Sequence, residues 1–192
     1  MYQFAVMTGV LSSCNLPHER QGASHRCADH YPRAHEPNSS FLMDYRLYEA
    51  DDFDDLYAVE EVCFPSSERF TRSYMRGLIA SQETATWIAE EKGHLAGFAI
   101  VEFIRQVAPT VAYISTIEVL PAHRGQGIGA ELLRRLEGSA NAEHATGIWL
   151  HVDLENGSAI RLYERLGYRK NSRANHYYAR NRPAAIYVKQ LV

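Results

Sequence analysis

The sequence predicts a single α/β domain built on a mixed sheet, and three observations carry that expectation. The chain has 192 residues, within the roughly 100–200 typical of one domain. From residue 43 onward, runs with period-two apolar alternation take turns with runs of helical period. Lys92-Gly93 stands between two strand-like runs and marks a hairpin, so the strands are not all joined by helical crossovers. There is no internal repeat.

The elements follow in order. Residues 43–49 read as a short strand. Residues 51–63 read as a helix: Asp51, Asp52, Asp54 and Asp55 suit its positive N-terminal dipole, and Phe53, Leu56, Val59 and Cys63 recur at helical spacing. Phe64-Pro65-Ser66-Ser67 ends it. Residues 68–80 form a second expected helix, with Phe70, Tyr74 and Leu78 on one face. Residues 84–91 and 94–105 are the two strands of the hairpin. Residues 110–120 are the next strand, 121–126 a loop, and 127 to about 144 a helix carrying Ile128, Leu132, Leu133 and Leu136. In the strand 147–153, Ile148, Leu150 and Val152 alternate onto one face, and Trp149, His151 and Asp153 onto the other. Residues 156–166 are a helix with Asn156 as its cap. Residues 168–180 and 185–191 read as a closing antiparallel pair.

Composition bounds the function. Hydrophobic residues make up 46% of the chain, enough for a core, and 20 Lys+Arg stand against 23 Asp+Glu, a net charge of −3. That balance gives no electrostatic reason to expect a nucleic-acid partner. Arg169, Arg173, Arg180 and Arg182 read better as a solvated rim, or as a contact for phosphates or acidic peptides. No apolar run approaches the roughly 18 residues of a membrane span, so no membrane partner is expected. Cys14, Cys27 and Cys63 cannot make a disulfide framework and read as a reducing, cytoplasmic context.

Residues 1–42 differ from the rest. They hold four of the nine His, two of the three Cys and three of the seven Pro, without sustained periodicity. They read as a poorly ordered extension, and Met43 directly before the first strand is compatible with an upstream start. Leu11-Ser12-Ser13-Cys14 is similar to a lipoprotein cleavage box, but no Lys or Arg precedes its short apolar stretch. Cys14, His18, His25, Cys27, His30 and His35 include metal-ligand types, but their spacing fits no common zinc site, and no metal is expected.

The strongest chemical signal is Arg124-Gly125-Gln126-Gly127-Ile128-Gly129-Ala130, between a strand and an amphipathic helix. Glycines leave the backbone bare, so successive N–H groups at a helix start can point at one anion, and Arg124 adds a charged contact. The Lys-Ser/Thr pair of a P-loop is absent, and the glycine spacing differs from the dinucleotide fingerprint. A tight turn with a closely packed helix is the bland alternative.

Two stretches together narrow the choice. Tyr113-Ile114-Ser115-Thr116-Ile117-Glu118-Val119, followed by the glycine loop, resembles the acetyl-CoA motif Arg/Gln-x-x-Gly-x-Gly/Ala of the GNAT N-acetyltransferase superfamily. Asn156-Gly157-Ser158-Ala159-Ile160-Arg161-Leu162-Tyr163-Glu164-Arg165-Leu166-Gly167-Tyr168 resembles its Asn-x-x-Ala-x-x-x-Tyr-x-x-x-Gly-Phe signature. The resemblance covers residues 43–192. It implies one GNAT-type domain with a mixed, mostly antiparallel sheet, a splayed central strand pair and flanking helices. It also implies acetyl-CoA as cosubstrate. The amides of Arg124, Gly125, Gln126, Gly127, Ile128, Gly129 and Ala130 would take the pyrophosphate. The stretch Ile117-Glu118-Val119 would contact pantetheine and the acetyl carbonyl, with Asn156 and Ala159 on the second motif. Tyr163 would face the CoA sulfur. A phenol with an ordinary pKa of about 10 can protonate a departing thiolate; the competing reading is a core aromatic.

Further resemblances concern the acceptor. Phe64-Pro65-Ser66-Ser67-Glu68 is similar to the Phe-Pro-x-Ser-Glu segment of ribosomal-protein alanine N-acetyltransferases, which implies that Phe64, Pro65 and Glu68 flank the substrate groove. His176-Tyr177-Tyr178 resembles the Asn-Tyr-Tyr segment of N-terminal acetyltransferases, which implies that Tyr177 and Tyr178 grip the peptide. Adjacent strand residues face opposite ways, so at most one projects straight into the groove. Tyr113 and His151 match the catalytic Tyr and His of the eukaryotic N-terminal acetyltransferases that accept Met-initiated chains. The bacterial ribosomal enzyme carries Glu where His151 stands, and Asn is usual at His176.

His151 suits an α-amine. Imidazole accepts a proton near neutrality, and a peptide α-amine (pKa about 7.7–8.0) needs far less help than a Lys amine (about 10.4). Tyr113 would position a water between them. A strand His satisfied by a backbone carbonyl is the bland alternative. Glu118 is the second candidate base, on the face opposite Ile117 and Val119. The expectation is a metal-free N-acetyltransferase acting by direct amine attack, as a monomer or homodimer, on a protein or peptide N-terminal α-amine. A small amine (amino acid, polyamine or aminoglycoside) and a catalytically silent acetyl-CoA-binding module are the alternatives.

Overall fold

In the computed structural model, the described residues are 43–106, 109–178 and 182–191, the His176 side chain apart. The expectations placed on residues 1–42, on Arg180 and on the His176 side chain lie outside them.

The elements are β1 (Met43–Leu47), α1 (Phe53–Cys63), α2 (Arg72–Ile79), β2 (Thr84–Glu91), β3 (His94–Ile104), β4 (Val111–Val119), α3 (Ile128–Ala142), β5 (Gly147–Asp153), α4 (Gly157–Arg165), β6 (Arg169–Tyr178) and β7 (Arg182–Gln190). They build one seven-stranded sheet in the order β1-β2-β3-β4-β5-β7-β6. Every described neighbour pair is antiparallel except β4 with β5. That parallel ladder runs only from Ala112↔Ile148 to Ile114↔Leu150. Past it the two strands diverge, which is the expected central splay.

Each face of the sheet carries a core. On one face α3 and α4 bury Leu132, Leu133, Leu136 and Tyr163 against Val101, Ile114, Leu150 and Val152. On the other, α1 and α2 bury Phe53, Leu56, Val59, Met75 and Leu78 against Ile88, Phe98 and Ile100. Fully burying one such aliphatic side chain is worth about 1.5–3 kcal/mol. The strands β3 and β4 approach closely at Gly97: a Cβ there would lie 2.3 Å from the Glu118 carbonyl oxygen, so no other residue fits without moving backbone.

Two local expectations change. The second helix starts at Arg72 rather than residue 68, because Thr71 caps it by accepting from the Tyr74 amide. Glu68 and Arg69 instead donate their amides to the Pro65 carbonyl in a turn. Tyr74 is exposed, and Met75 fills the core in its place. The closing pair is antiparallel as expected, but β7 inserts between β5 and β6 and leaves β6 at the edge.

Candidate active site

The site forms where β4 and β5 part. Alternation on β5 is regular: Ile148, Leu150 and Val152 are buried, and Trp149, His151 and Asp153 face the other way, half-buried. On β4 the alternation breaks. Ile100 pairs with Thr116 and Val101 with Ile114, so Ser115 is an extra residue opposite β3. This bulge resets the phase. Ala112 and Ile114 before it, and Ile117 and Val119 after it, all lie with the α3/α4 core. Tyr113 and Glu118 therefore share the opposite, α1 face.

Tyr113, Trp149 and His151 meet there with Tyr177 of β6. The Tyr113 hydroxyl lies 3.3 Å from His151 Nδ1 and 2.9 Å from the Tyr177 hydroxyl. The Tyr177 ring stacks on the imidazole, centroids 3.9 Å apart at 14°. Trp149 packs against Tyr113 at 4.4 Å and edge-on to His151 at 5.3 Å. Burial disfavours the charged imidazole and brings His151 down to about 4, so it is neutral at physiological pH. Burial, with Tyr177 nearby, pushes the Tyr113 phenol well above its ordinary range. Glu102, paired in register with Tyr113, accepts from the Ser115 hydroxyl at 2.6 Å.

Of the two adjacent tyrosines, Tyr177 enters this cluster. A register shift between Ala174 and Tyr178 bends β6 at this point. Tyr178 lies edge-on to Tyr177, with the Arg182 guanidinium 5.6 Å from its ring centroid. Arg182 pairs with Asp153 at 2.5 Å and with Glu68 at 2.6 Å. It thus joins the α1–α2 loop to the end of β5 and the start of β7. In that loop, Phe64 is half-buried at the end of α1, its carbonyl taken by Arg69, and Pro65 is exposed.

Glu118 is buried, accepts from the Thr116 hydroxyl at 2.8 Å and faces Glu60 of α1. Burial first, and the Glu60 carboxyl next, hold Glu118 well above the usual carboxylate range. Trp149, Glu102 and Glu60 were not singled out from the sequence, and Arg182, read there as part of a solvated rim or a phosphate or acidic-peptide contact, is instead paired with Glu68 and Asp153. Trp149 had a usable signal, its shared face with His151. The other three depend on strand pairing and long-range contacts.

The glycine loop matches an anion cradle. Gly125 and Gly127 have φ of +78° and +86°, and a Cβ at either would meet nothing within 4 Å. Gly127 is the N-cap of α3 and brings no side chain to its orphan amides. The N–H groups of Gln126, Ile128 and Gly129 take no backbone acceptor among the described residues and lie at the positive end of a 15-residue helix, whereas the Ala130 amide donates to the Gly127 carbonyl at 3.0 Å. Gly129 packs close, a Cβ there falling 3.4 Å from Leu162 Cδ2. Arg124 donates from Nε to the Val119 carbonyl at 2.9 Å, so part of its guanidinium is committed to β4. On α4, Asn156 caps the helix by accepting from the Ala159 amide at 3.1 Å. Tyr163 is buried beside Tyr168 and Tyr187, and burial pushes its phenol up to about 12.

The sequence profile described as the acetyltransferase (GNAT) family matches residues 51–168. The streptothricin acetyltransferase of Streptomyces lavendulae is 41% identical over 76 residues, covering 40% of this chain and 39% of that protein. An N-alpha-acetyltransferase of Sulfurisphaera tokodaii is 26% identical over 147 residues, covering 71% of this chain and 87% of that one. Among solved structures, the ribosomal-protein-S18-alanine N-acetyltransferase of Escherichia coli superposes with a TM-score of 0.69 at 23% identity, over 78% of this chain and 94% of that one.

Proposed function

The chain belongs to the acetyltransferase (GNAT) family and is an N-acetyltransferase; we propose that it uses acetyl-CoA and that its acceptor is a protein or peptide N-terminal α-amine. The observation that carries the acceptor reading is the Tyr113–His151–Tyr177 cluster at the mouth of the splay. Residues 43–192 form the catalytic domain in this reading, with 1–42 as an extension to it.

When bound, acetyl-CoA supplies a thioester-activated carbonyl, which the amine attacks with loss of the thiol. The amides of residues 125–129 would hold its pyrophosphate against the α3 N-terminus, and Ile117, Val119, Asn156 and Ala159 would line its path toward the splay. His151, neutral and within reach of Tyr113, orients the incoming amine or an intervening water. It accepts the proton that the amine must lose before it attacks. Burial weakens His151 as a base, so it serves an amine that gives up that proton readily. An α-amine (pKa about 7.7–8.0) does so far more often than a Lys amine (about 10.4). Tyr163 keeps its proton at all physiological pH and supplies it to the departing sulfur. Glu118 is less suited as base, because burial first and the facing Glu60 carboxyl next disfavour the ionised form that would accept a proton. Phe64, Pro65, Glu68, Tyr177 and Tyr178 border the acceptor.

The likeness to the streptothricin enzyme favours a second reading, a small-molecule amine as acceptor. One assay separates the two. A Lys-free peptide with an open N-terminus, the same peptide N-blocked with one Lys, and a panel of polyamines and streptothricin-like amines are compared by kcat/KM. The open peptide is expected to lead; a small amine or the blocked Lys peptide in first place overturns the α-amine reading.

A further inference from the structure

Beneath the α1–α2 loop lies a second pair of titratable groups that takes no part in the proton transfers above. Glu60 of α1 and Glu118 of β4 are 1% and 2% exposed, and their carboxyl groups contact each other. Each has one satisfied oxygen. Glu60 Oε1 accepts from the Phe70 amide at 2.6 Å, and Glu118 Oε1 accepts from Thr116. The other oxygen of each, Oε2, is buried and meets no donor among the described residues. Two ionised carboxylates cannot be buried face to face without a large penalty. A single proton between them removes the charge conflict and satisfies both orphan oxygens in one O–H···O bond.

The other titratable or charged groups facing the pair are Cys63 of α1 and Arg124 of the loop after β4. Cys63 directs its thiol at the Val119 carbonyl, and Arg124 bonds that carbonyl and the Cys63 sulfur. Neither supplies the missing donor.

The pair also holds something. Phe70 is fixed at both backbone groups by α1 side chains: its amide by Glu60, and its carbonyl by the Tyr57 hydroxyl at 3.0 Å. Phe70 closes the segment 64–70, which carries Phe64, Pro65 and Glu68. Glu118 lies between Ile117 and Val119 on the strand assigned to the cosubstrate.

We propose that Glu60 and Glu118 share one proton and act as a positioning pair, locking the α1–α2 acceptor loop to β4 through Phe70. Loss of the shared proton at alkaline pH leaves two facing carboxylates, and Glu60 swings away from the Phe70 amide. The effect on acceptor binding rests on the function proposed above; the lock itself does not.

The test therefore reads the lock directly. In the full chain, infrared spectroscopy should show a protonated buried carboxyl at neutral pH that disappears in Glu60→Gln. Amide exchange at Phe70 should be protected at neutral pH and accelerate under alkaline conditions beyond the intrinsic rise. In Glu60→Gln, whose carboxamide is a permanent donor to Glu118, that extra acceleration should vanish. In Glu60→Ala, Phe70 should exchange fast at every pH. The KM for a peptide acceptor, taken as the wild-type to Glu60→Gln ratio so that amine ionisation cancels, should rise on the order of tenfold on the alkaline side, as expected for losing a hydrogen bond to a charged group. The affinity for CoA should stay constant. No protonated carboxyl at neutral pH, or Phe70 exchange that is the same in wild type and Glu60→Gln at alkaline pH, overturns the lock. Correct exchange behaviour with a flat KM ratio overturns only its bearing on the acceptor.

Discussion

The hydroxyls of Tyr113 and Tyr177 meet at 2.9 Å although 64 residues separate them. The contact exists because β7 pairs with β5 and returns β6 alongside, which brings the end of the last hairpin over the parting of β4 and β5. One hydroxyl of the pair also reaches His151 Nδ1, and the other ring covers the imidazole. The imidazole is thus fixed in place and partly dried by the same contacts, which is why its charged form is disfavoured.

His151→Ala is expected to lower kcat/KM for a peptide α-amine by roughly 10²–10⁴, the range for a lost general base. The defect should shrink as pH passes the α-amine range, because the amine then arrives neutral. Nuclear magnetic resonance of the wild-type imidazole should give a midpoint near the shifted value of about 4. An ordinary midpoint near 6.5, or a pH-independent defect, would contradict the assigned role.

Tyr163→Phe is expected to lower kcat while leaving the affinity for CoA within about twofold, since it removes a proton donor and little else. Its phenol is pushed up to about 12. The defect should therefore persist through pH 10, unlike that of His151→Ala. Parallel pH–rate profiles for the two variants would show that they do not serve separate proton transfers.

Gly127→Glu places a side chain and a negative charge in the cradle and forces a non-glycine residue to a φ of +86°. Strain of this kind costs about 1–3 kcal/mol, so the fold should survive by circular dichroism. Calorimetry should find CoA binding reduced at least 100-fold, a loss of about 2.7 kcal/mol or more. Retained affinity would place the pyrophosphate elsewhere.

Arg182→Ala should release Glu68 and Asp153 from each other. The expected result is a peptide KM raised about 3–30-fold with CoA affinity unchanged. Stability should change little, because the ion pairs are partly solvated. Raising salt should produce part of the same KM change in the wild type and little in the variant.

Removal of residues 1–42 should leave a folded chain with kcat/KM within about threefold of the full protein, because every matched motif lies after Met43. Loss of cooperative unfolding or of turnover in the truncated chain would make the extension part of the domain.

Much was legible in the sequence, and for a local reason. Side-chain alternation has a period of two residues, so the faces of β5 follow from 147–153 alone. The glycines of 125–129 and the cap at Asn156 likewise state their backbone needs within a few positions. Local reading went astray at Glu68–Thr71, where a Thr cap and the Glu60 carboxylate on the Phe70 amide overrode a plausible helical pattern.

Other features required the assembled sheet. The bulge at Ser115 is a property of β4 paired with β3, and nothing within 111–119 announces it. Strict alternation would group Tyr113 with Ile117 and Val119; the bulge puts it on the face of Glu118. The meeting of Glu60 with Glu118, and of Arg182 with Glu68 and Asp153, joins residues far apart in the chain. Such contacts depend on which strands become neighbours and in what register, and that is settled by burying both faces of the whole sheet at once. The sequence by itself determined the elements, the cradle and the facing of His151. Only the tertiary structure decided what His151 touches, and that Glu60 and Glu118 are buried face to face.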